Sequence, residues 1–535
     1  MRSTSSLESP QLDWPVVPTA STPRLTTTVT PRRELARPVK PQPDRSYGQI
    51  LNSSVLIGGS SLLTNLAAIL RNKFVAVFLG PAGIGLMGLL GSMTSMVGTL
   101  AGLGVTTSGV REIAEASGAG DHVRVARTVT TLRRIMLRLG LLGSALLAAL
   151  CVPVSKVTFG TADHAGQIVV LSIVIAMTLV AEGQVARLQG FRRMGDVARA
   201  AVLGAVLTLT LTLPIVYVWR QDSVVALLLV ASGSSMVSSW WYARRIPVTP
   251  VPMMWRETLR EARPLLHIGL ASMSSALMVA AIAYVVRLVI TRQLGLGAAG
   301  IFQSAATLSS VYCGFILTAM GADFLPRVSA VAEDDASCNR LVNEQVEVGL
   351  LLALPGICAT LAFSPLIVQV LYSTQFGLAT EVLRWQVLGV FLRVASWPMG
   401  YLLIAKGKAQ LYFWTELSYN LLYAALIWIG VRLWGLPGAG VAFFGVYIYY
   451  CLLMALVTRH VSGFAWSAAN KRFALLAVPT VAIVFVCPLI FPSPWQFVAA
   501  AAVTTLAGLY SLRTLLSLTR GQRVPAFDAL GVKRG

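Results

Sequence analysis

The sequence predicts an all-α membrane protein with about fourteen transmembrane helices, arranged as two pseudo-symmetric six-helix lobes and a C-terminal helix pair. The chain has 535 residues, of which 56% are hydrophobic and only 12% are charged. Its mean hydropathy of +0.71 is too high for a water-soluble fold of this length. Apolar runs of about 20 residues follow one another along the chain, and part of the first half recurs in the second.

The transmembrane spans are assigned to apolar runs that can cross a hydrocarbon core of about 30 Å and that end at charge, glycine or proline. The predicted spans are 47–79, 83–114, 123–158, 165–187, 194–219, 222–243, 259–293, 298–331, 339–373, 379–405, 409–434, 437–459, 472–491 and 495–518. They form an N-lobe at 47–243 and a C-lobe at 259–460, joined by a cytoplasmic linker at 244–258. An extra helix pair occupies 461–520.

Both ends of the chain are predicted to be cytoplasmic tails. Residues 1–46 are rich in Pro, Ser, Thr and Arg and carry too little apolar surface to offset the entropy of ordering, so this tail is expected to be disordered. The second tail is 521–535. Lysine and arginine are concentrated in alternate loops, including those around Arg192, Arg244 and Arg459. The positive-inside rule places these loops and both tails in the cytoplasm.

A segment of the first lobe recurs in the second lobe. Arg71 falls on Arg287, Arg111 falls on Arg327, and the turn LGPAGI that begins at Leu79 falls on LGLGAAGI with a two-residue insertion. Transporters built from such repeats bind their substrate between the repeats, near the middle of the membrane. The repeat therefore predicts one site between two lobes that close on an anionic substrate.

Arg71 and Arg287 are the predicted anion-binding residues. Arg71 lies about nine residues before the turn at Gly80, which places it about 13 Å inside a core about 30 Å thick. A charged side chain at that depth must face protein or water, and a planar guanidinium suits phosphate because it can donate two hydrogen bonds. The alternative is that a buried carboxylate, such as Glu182 or Glu416, neutralises each arginine.

Two further cations, Lys73 and Arg292, are candidate cavity residues that could contact the same anion. Both lie close to predicted outward turns. Their long side chains could equally extend toward the membrane surface and leave the cavity. Sequence alone leaves both interpretations open.

Four charged residues are candidates for coupling or gating. Glu182 and Glu416 interrupt apolar runs, so each is either a counter-ion or a protonation site. Asp323 and Arg327 lie four residues apart on one helical face, where they either act in gating or simply pair with each other.

Metal, cofactor and nucleic-acid binding are not predicted. The six cysteines have no C-x-x-C spacing and the four histidines are far apart in the sequence. The formal net charge of +21 comes from lysine and arginine between apolar runs and is typical of topology signals. The glycine clusters follow no predicted strand and precede no Lys-Ser or Lys-Thr, so they are not phosphate-binding loops.

Four stretches of the chain carry a family resemblance. They are LGPAGIGLMGLL at 79–90, LAGLGVTTSGVREIAEASGAGD at 100–121, MGADFLPRVSAVAEDD at 320–335 followed by NEQVEVGLLLALP at 343–355, and LLIAKGKAQLYFWTELS at 402–418. The chain resembles the bacterial O-antigen and lipid-linked oligosaccharide flippases. These form the polysaccharide-transporter branch of the multidrug/oligosaccharidyl-lipid/polysaccharide exporter superfamily.

The resemblance implies a transporter of the bacterial inner membrane and not an enzyme. It implies two lobes around a cationic cavity and passage of an undecaprenyl-diphosphate-linked oligosaccharide by alternating access, with Arg71 and Arg287 as contacts of the diphosphate. The implied partners are membrane lipids and the polysaccharide polymerase and glycosyltransferases of the same pathway. The thirteenth and fourteenth predicted spans depart from O-antigen flippases and resemble the lipid II branch.

Three other functions are compatible with a polytopic protein. An O-antigen polymerase or ligase needs a sizeable outward loop with catalytic Arg or His, whereas outward loops such as STQFGL are short. An ion-coupled exporter of small cationic drugs needs an anionic cavity. A scaffold role in a polysaccharide assembly complex is also consistent with the sequence.

Overall fold

The protein is all-α throughout the part of the chain that the structure describes. This computed structural model describes residues 44–248, 251–490 and 495–520. The helices are α1 (Asp44–Gly102), α2 (Val105–Gly118), α3 (His122–Ala149), α4 (Cys151–Phe159), α5 (Ala165–Gly190), α6 (Met194–Trp219), α7 (Ser223–Ala243), α8 (Trp255–Ala330), α9 (Asp335–Leu371), α10 (Ala379–Ala405), α11 (Ala409–Ser462), α12 (Ala468–Ile490) and α13 (Trp495–Arg520). The predicted tails lie outside the described residues, except that 44–46 begin α1.

Three of the longest helices are hairpins of two arms. Gly80, Gly295 and Gly435 interrupt α1, α8 and α11 with φ angles of 64°, 87° and 63°, a backbone region in which only glycine is unstrained. Across the turn in α8, Arg287 bonds to Gln303 at 2.7 Å, so the two arms run side by side in opposite directions. We call the end of the bundle that carries these glycines the turn end.

The number of membrane crossings agrees with the prediction. Among the described residues, ten helices are long and apolar enough to cross a membrane, and the bent pair α3 and α4 supplies one more. Three of the ten contain the turn glycines and therefore cross twice, which gives about fourteen crossings. The prediction of an all-α polytopic fold is confirmed.

Two predicted spans, 83–114 and 123–158, are broken where the sequence analysis expected continuous helices. The first breaks at Leu103 and Gly104, both with positive φ. The second bends by 66° between α3 and α4. The break at Gly104 lets the backbone approach α8, since a Cβ there would lie 2.1 Å from the Gly269 carbonyl oxygen.

Helices α2 to α7 pack mainly on one another, and α9 to α13 pack on α8 and on one another. Helix α8 also contacts α2, α3 and α4, so it joins the two groups. The described residues from Asn52 onward form one compact unit. The boundaries of the predicted N-lobe, linker, C-lobe and helix pair are not tested by this arrangement and stay predictions.

At the turn end, α1 and α8 meet through a reciprocal pair of glycines. A Cβ on Gly85 would lie 2.0 Å from the carbonyl oxygen of Leu296, and a Cβ on Gly300 would lie 1.8 Å from that of Pro81. Both glycines follow their turn glycine, Gly80 or Gly295, by the same number of residues. The predicted two-residue insertion is therefore wrong.

This constant spacing changes how the two arginines are related. Counted from the turn glycines, Arg287 corresponds to Asn72, and Arg71 corresponds to Val286. The arginines are thus neighbours in register and not equivalent positions of the repeat. Their long side chains still reach a common cavity, described below.

The opposite end of the bundle, which we call the linker end because residues 244–248 and 251–258 lie there, is held by polar contacts. Ser108 donates a buried hydrogen bond to the Leu265 carbonyl at 2.7 Å. Arg127 of α3 forms an ion pair with Glu261 of α8 at 3.3 Å. The first arm of α8 is thereby fixed to α2 and α3 at this end.

The C-terminal helix pair is attached to α9 by a buried asparagine. Asn343 accepts a bond from the Ser467 backbone N–H at 2.8 Å, donates to the Ala465 carbonyl at 3.1 Å, and bonds with the Asn470 side chain at 3.0 Å. These bonds satisfy the irregular backbone that precedes α12. Buried polar groups left without partners cost about 1–3 kcal/mol each.

We expect Asn343→Ala to lower the stability of the purified protein by about 2–4 kcal/mol, because it leaves several buried groups unpaired at once. Thermal unfolding in detergent, followed by intrinsic fluorescence, measures the change. Asn420→Ala is the matched control, since the Asn420 side chain donates back to its own helix, at the Glu416 carbonyl, and has no other hydrogen-bond partner among residues that the structure describes. Equal melting temperatures for the two variants would contradict this role for Asn343.

Candidate functional site

A cavity of about 370 Å³ lies between both arms of α1 and α8, with α6 and α7 completing its wall. Small residues on these helices, including Gly88, Gly91 and Ala283, leave the space. The polar side chains in the lining are Arg71, Ser92, Ser95, Thr212, Arg287 and Gln303. The structure therefore brings the two predicted arginines into one cavity.

Arg71 projects from the first arm of α1 with few partners. Its Nη2 lies 3.4 Å from Asn72 Oδ1, a long contact. Its Nε is buried and has no hydrogen-bond partner among the described residues. A buried donor without an acceptor is costly, and a ligand with anionic oxygens would satisfy it.

Arg287 projects from the first arm of α8 and is held more firmly. Its Nε donates to Gln303 Oε1 at 2.7 Å, and its Nη1 donates to the Ala283 carbonyl at 2.6 Å. These bonds fix the guanidinium plane, and they leave Nη2 without a bond to any described residue. The Arg287 guanidinium is therefore held in place, and part of its hydrogen-bonding capacity is left for a ligand.

No carboxylate neutralises this pair of arginines among the described residues. The cavity lining contains neither aspartate nor glutamate. Tyr372 lies near Arg71 and Tyr423 near Arg287, and both carry hydroxyls, not carboxylates. The alternative in which Glu182 or Glu416 neutralises the arginines is therefore not what the structure shows.

Lys73 and Arg292 lie outside the lining of this cavity. The Lys73 ammonium donates to the carbonyl oxygens of Gln369 and Val370, at the C-terminal end of α9. This end of a helix attracts positive charge. Arg292 Nη2 donates to the Lys156 carbonyl at 3.2 Å. Both predicted cavity cations thus contact backbone oxygens elsewhere, and no signal in the sequence distinguished them from Arg71.

Glu416 has partners of its own within the α10 and α11 helices. It accepts a hydrogen bond from the Tyr450 hydroxyl at 2.5 Å and interacts electrostatically with Arg393 of α10. The sequence analysis missed Arg393, although a cation inside the apolar run 379–405 is the same signal that singled out Arg71. The structure favours the counter-ion interpretation of Glu416, and its role in coupling stays a prediction.

Glu182 lies on α5 in a second cavity of about 520 Å³ between α2, α5 and α7. Asp323 lies on the second arm of α8, but its side chain is outside the described residues. Its pairing with Arg327, and the gating role of both residues, stay predictions.

The sequence of the chain also matches a known protein family. A family model described as polysaccharide biosynthesis protein matches residues 74–380, more than half of the chain. The chain belongs to this family. The polysaccharide-transporter resemblance predicted from the sequence is thereby confirmed.

The chain is also similar to two bacterial flippases. It is 24% identical over 410 residues to the lipid III flippase of Escherichia coli K12, covering 75% of this chain and 96% of the flippase. The corresponding Shigella flexneri protein matches equally.

Two solved structures share the fold of this family member. One is the lipid II flippase MurJ in an inward closed conformation, with a TM-score of 0.66 and 12% identity over 86% of this chain and 98% of MurJ. The other is an inward-facing multidrug resistance MATE transporter, with a TM-score of 0.64 and 18% identity over 78% and 99%. The protein is therefore a multi-pass membrane protein with the fold of this transporter superfamily.

Proposed function

We propose that this protein is a flippase that carries a prenyl-diphosphate-linked saccharide across the bacterial inner membrane. The observation that carries the proposal is the cavity shared by Arg71 and Arg287, which contains two guanidinium groups and no carboxylate in its lining. The lipid III and lipid II flippases to which the chain is similar support the same class of substrate.

The two arginines lower the main energetic cost of this transport, which is the removal of the charged diphosphate from water. A diphosphate carries about two negative charges, and moving it into a medium of low dielectric constant without paired cations costs many kcal/mol. Planar guanidinium groups donate pairs of hydrogen bonds to phosphate oxygens. They replace the lost hydration while the prenyl chain stays in lipid.

Alternating access supplies the path, and it requires the two ends of the bundle to open in turn. The glycine contact at the turn end and the Ser108 and Arg127 contacts at the linker end close α1, α2 and α3 against α8. The concentration of lysine and arginine in loops at the linker end supports a cytoplasmic location for that end and for both tails. We further propose that the carrier lipid is undecaprenyl and that the saccharide is an O-antigen repeat unit. A polymerase and glycosyltransferases are the proposed pathway partners. The proposed function involves no enzymatic step.

The lining of this cavity, as far as the structure describes it, holds no acidic group, which disfavours the export of cationic drugs because a cation would meet two arginines without carboxylate partners. An anionic lipid headgroup is the complementary ligand. The positive charge of the cavity therefore favours an anionic lipid substrate over a cationic drug.

Reconstitution tests the proposal directly. We expect vesicles that contain the purified full chain to move a fluorescent prenyl-diphosphate disaccharide from one leaflet to the other, which makes it accessible to a membrane-impermeant quencher. Protein-free vesicles and the same fluorescent disaccharide joined to the prenyl chain without any phosphate, which is uncharged, serve as controls. Equal rates in vesicles with and without the protein would refute the function.

A further inference from the structure

The second cavity, around Glu182, has polar side chains among the apolar ones of its wall and no ligand assigned to it so far. Its polar lining consists of Thr106, Thr107, Thr178, Glu182, Gln189 and Ser235. Thr107, Glu182 and Ser235 are exposed to the cavity space. Hydroxyl, amide and carboxylate groups together offer both donors and acceptors, which is what a polyhydroxyl ligand requires.

This cavity adjoins the one that contains the arginines. On α7, Ala231 lines the first cavity and Ser235 lines the second, so one helical turn of about 6 Å separates them. On the other wall, Ser95 of α1 and Thr106 of α2 line the first and second cavities. The two cavities are thus neighbours along α7, so a saccharide bonded to a diphosphate in the first cavity extends toward the second.

Glu182 is the one charged group of the second wall. It makes no hydrogen bond or ion pair with the described residues, and the lining contains no lysine, arginine or histidine. A carboxylate with free oxygens accepts strong hydrogen bonds from hydroxyl or ammonium groups. The same carboxylate repels a second carboxylate that has no cation beside it.

We propose that the cavity around Glu182 is a saccharide subsite that accepts neutral or amino sugars and rejects hexuronates. The subsite rests on the proposed function, because the diphosphate held by Arg71 and Arg287 fixes the sugar against Glu182. Glu182 then acts in substrate recognition, in place of the coupling role that its position in an apolar run suggested.

Binding to the purified full chain in detergent tests the subsite with three synthetic ligands. These are a short prenyl diphosphate, the same compound linked to a neutral disaccharide, and its analogue with a hexuronate as the first sugar. The neutral conjugate is expected to bind at least about tenfold more tightly than the prenyl diphosphate. Hydrogen bonds from its hydroxyls to a charged group supply this gain in binding free energy. The hexuronate conjugate is expected to gain nothing over the prenyl diphosphate.

Variants of Glu182 separate recognition from folding. Glu182→Ala is expected to lower the affinity for the neutral conjugate about tenfold, and Glu182→Arg to reverse the preference in favour of the hexuronate. Both should bind the plain prenyl diphosphate like the wild type, which shows that the variant is folded. Glu333→Ala, an exposed carboxylate between α8 and α9, is the matched control and should change none of the affinities.

The outcomes distinguish this subsite from the proposed function. A wild-type protein that binds prenyl diphosphate but discriminates none of the conjugates would overturn the subsite alone. Loss of pH-dependent transport in Glu182→Ala with all affinities unchanged would assign Glu182 to coupling and overturn recognition. Failure of the wild type to bind any prenyl diphosphate would overturn the proposed function itself.

Discussion

Replacing both Arg71 and Arg287 with alanine is expected to abolish transport of the prenyl-diphosphate saccharide. Each arginine can donate charge-assisted hydrogen bonds worth about 1.5–3 kcal/mol, so single variants should lose roughly 10- to 100-fold in activity and the double variant more. Initial rates in reconstituted vesicles measure the loss. Lysine at either position should restore part of the activity, because it keeps the charge but not the planar fork.

Stability distinguishes this role from a structural one. Because neither arginine has a carboxylate partner among the described residues, alanine should leave the melting temperature unchanged or raise it. Arg292→Ala is the matched control, since Arg292 lies outside the cavity lining and donates a hydrogen bond to the Lys156 carbonyl. Transport at the wild-type rate by the double variant would remove the basis for diphosphate binding in this cavity.

Gly300→Ala is expected to open the turn end of the bundle. The added methyl group would lie 1.8 Å from the Pro81 carbonyl oxygen, so the tips of α1 and α8 must separate. Overpacking of about 1–3 kcal/mol changes the ratio of closed to open molecules by roughly 5- to 150-fold. Transport should fall as well, because a cycle of alternating access needs the closed state.

Cysteine labelling measures this opening. With the six native cysteines replaced, Ser92→Cys in the arginine cavity reports access from the turn end to a membrane-impermeant maleimide. Labelling should be several-fold faster when Gly300→Ala is added. Gly297→Ala is the control, since a Cβ at Gly297 has no atom within 4 Å. Equal labelling of the two glycine variants would show that this contact does not close the turn end.

The crossings and turns of this fold were predictable because each depends on local sequence. A hydrocarbon core demands a fixed length of apolar residues, and the glycine turns at Gly80 and Gly295 stand between such runs. The breaks at Gly104 and after α3 were not predictable. They depend on what packs against the helix, such as the Gly269 backbone, and no local propensity reveals that partner.

The candidate site was predictable in part for a similar reason. Depth in the membrane singled out Arg71 and Arg287, and depth is a property of sequence position, whereas the repeat aligned the two arginines one residue out of register. The positions of Lys73 and Arg292 depend on carbonyl groups at the ends of α9 and α4, which only the folded chain brings near. Gln303, which orients Arg287, is likewise a partner across a hairpin.

The reciprocal glycines at the turn end also bear on how such a chain could arise. Each half supplies one glycine and accepts the other half's glycine against its own carbonyl, which is the pattern of an isologous interface between identical subunits. If the two halves arose by duplication of one half, a single glycine and a single carbonyl in that half would have encoded both contacts. A side chain at either Gly85 or Gly300 therefore disturbs the same symmetric contact from one half or the other.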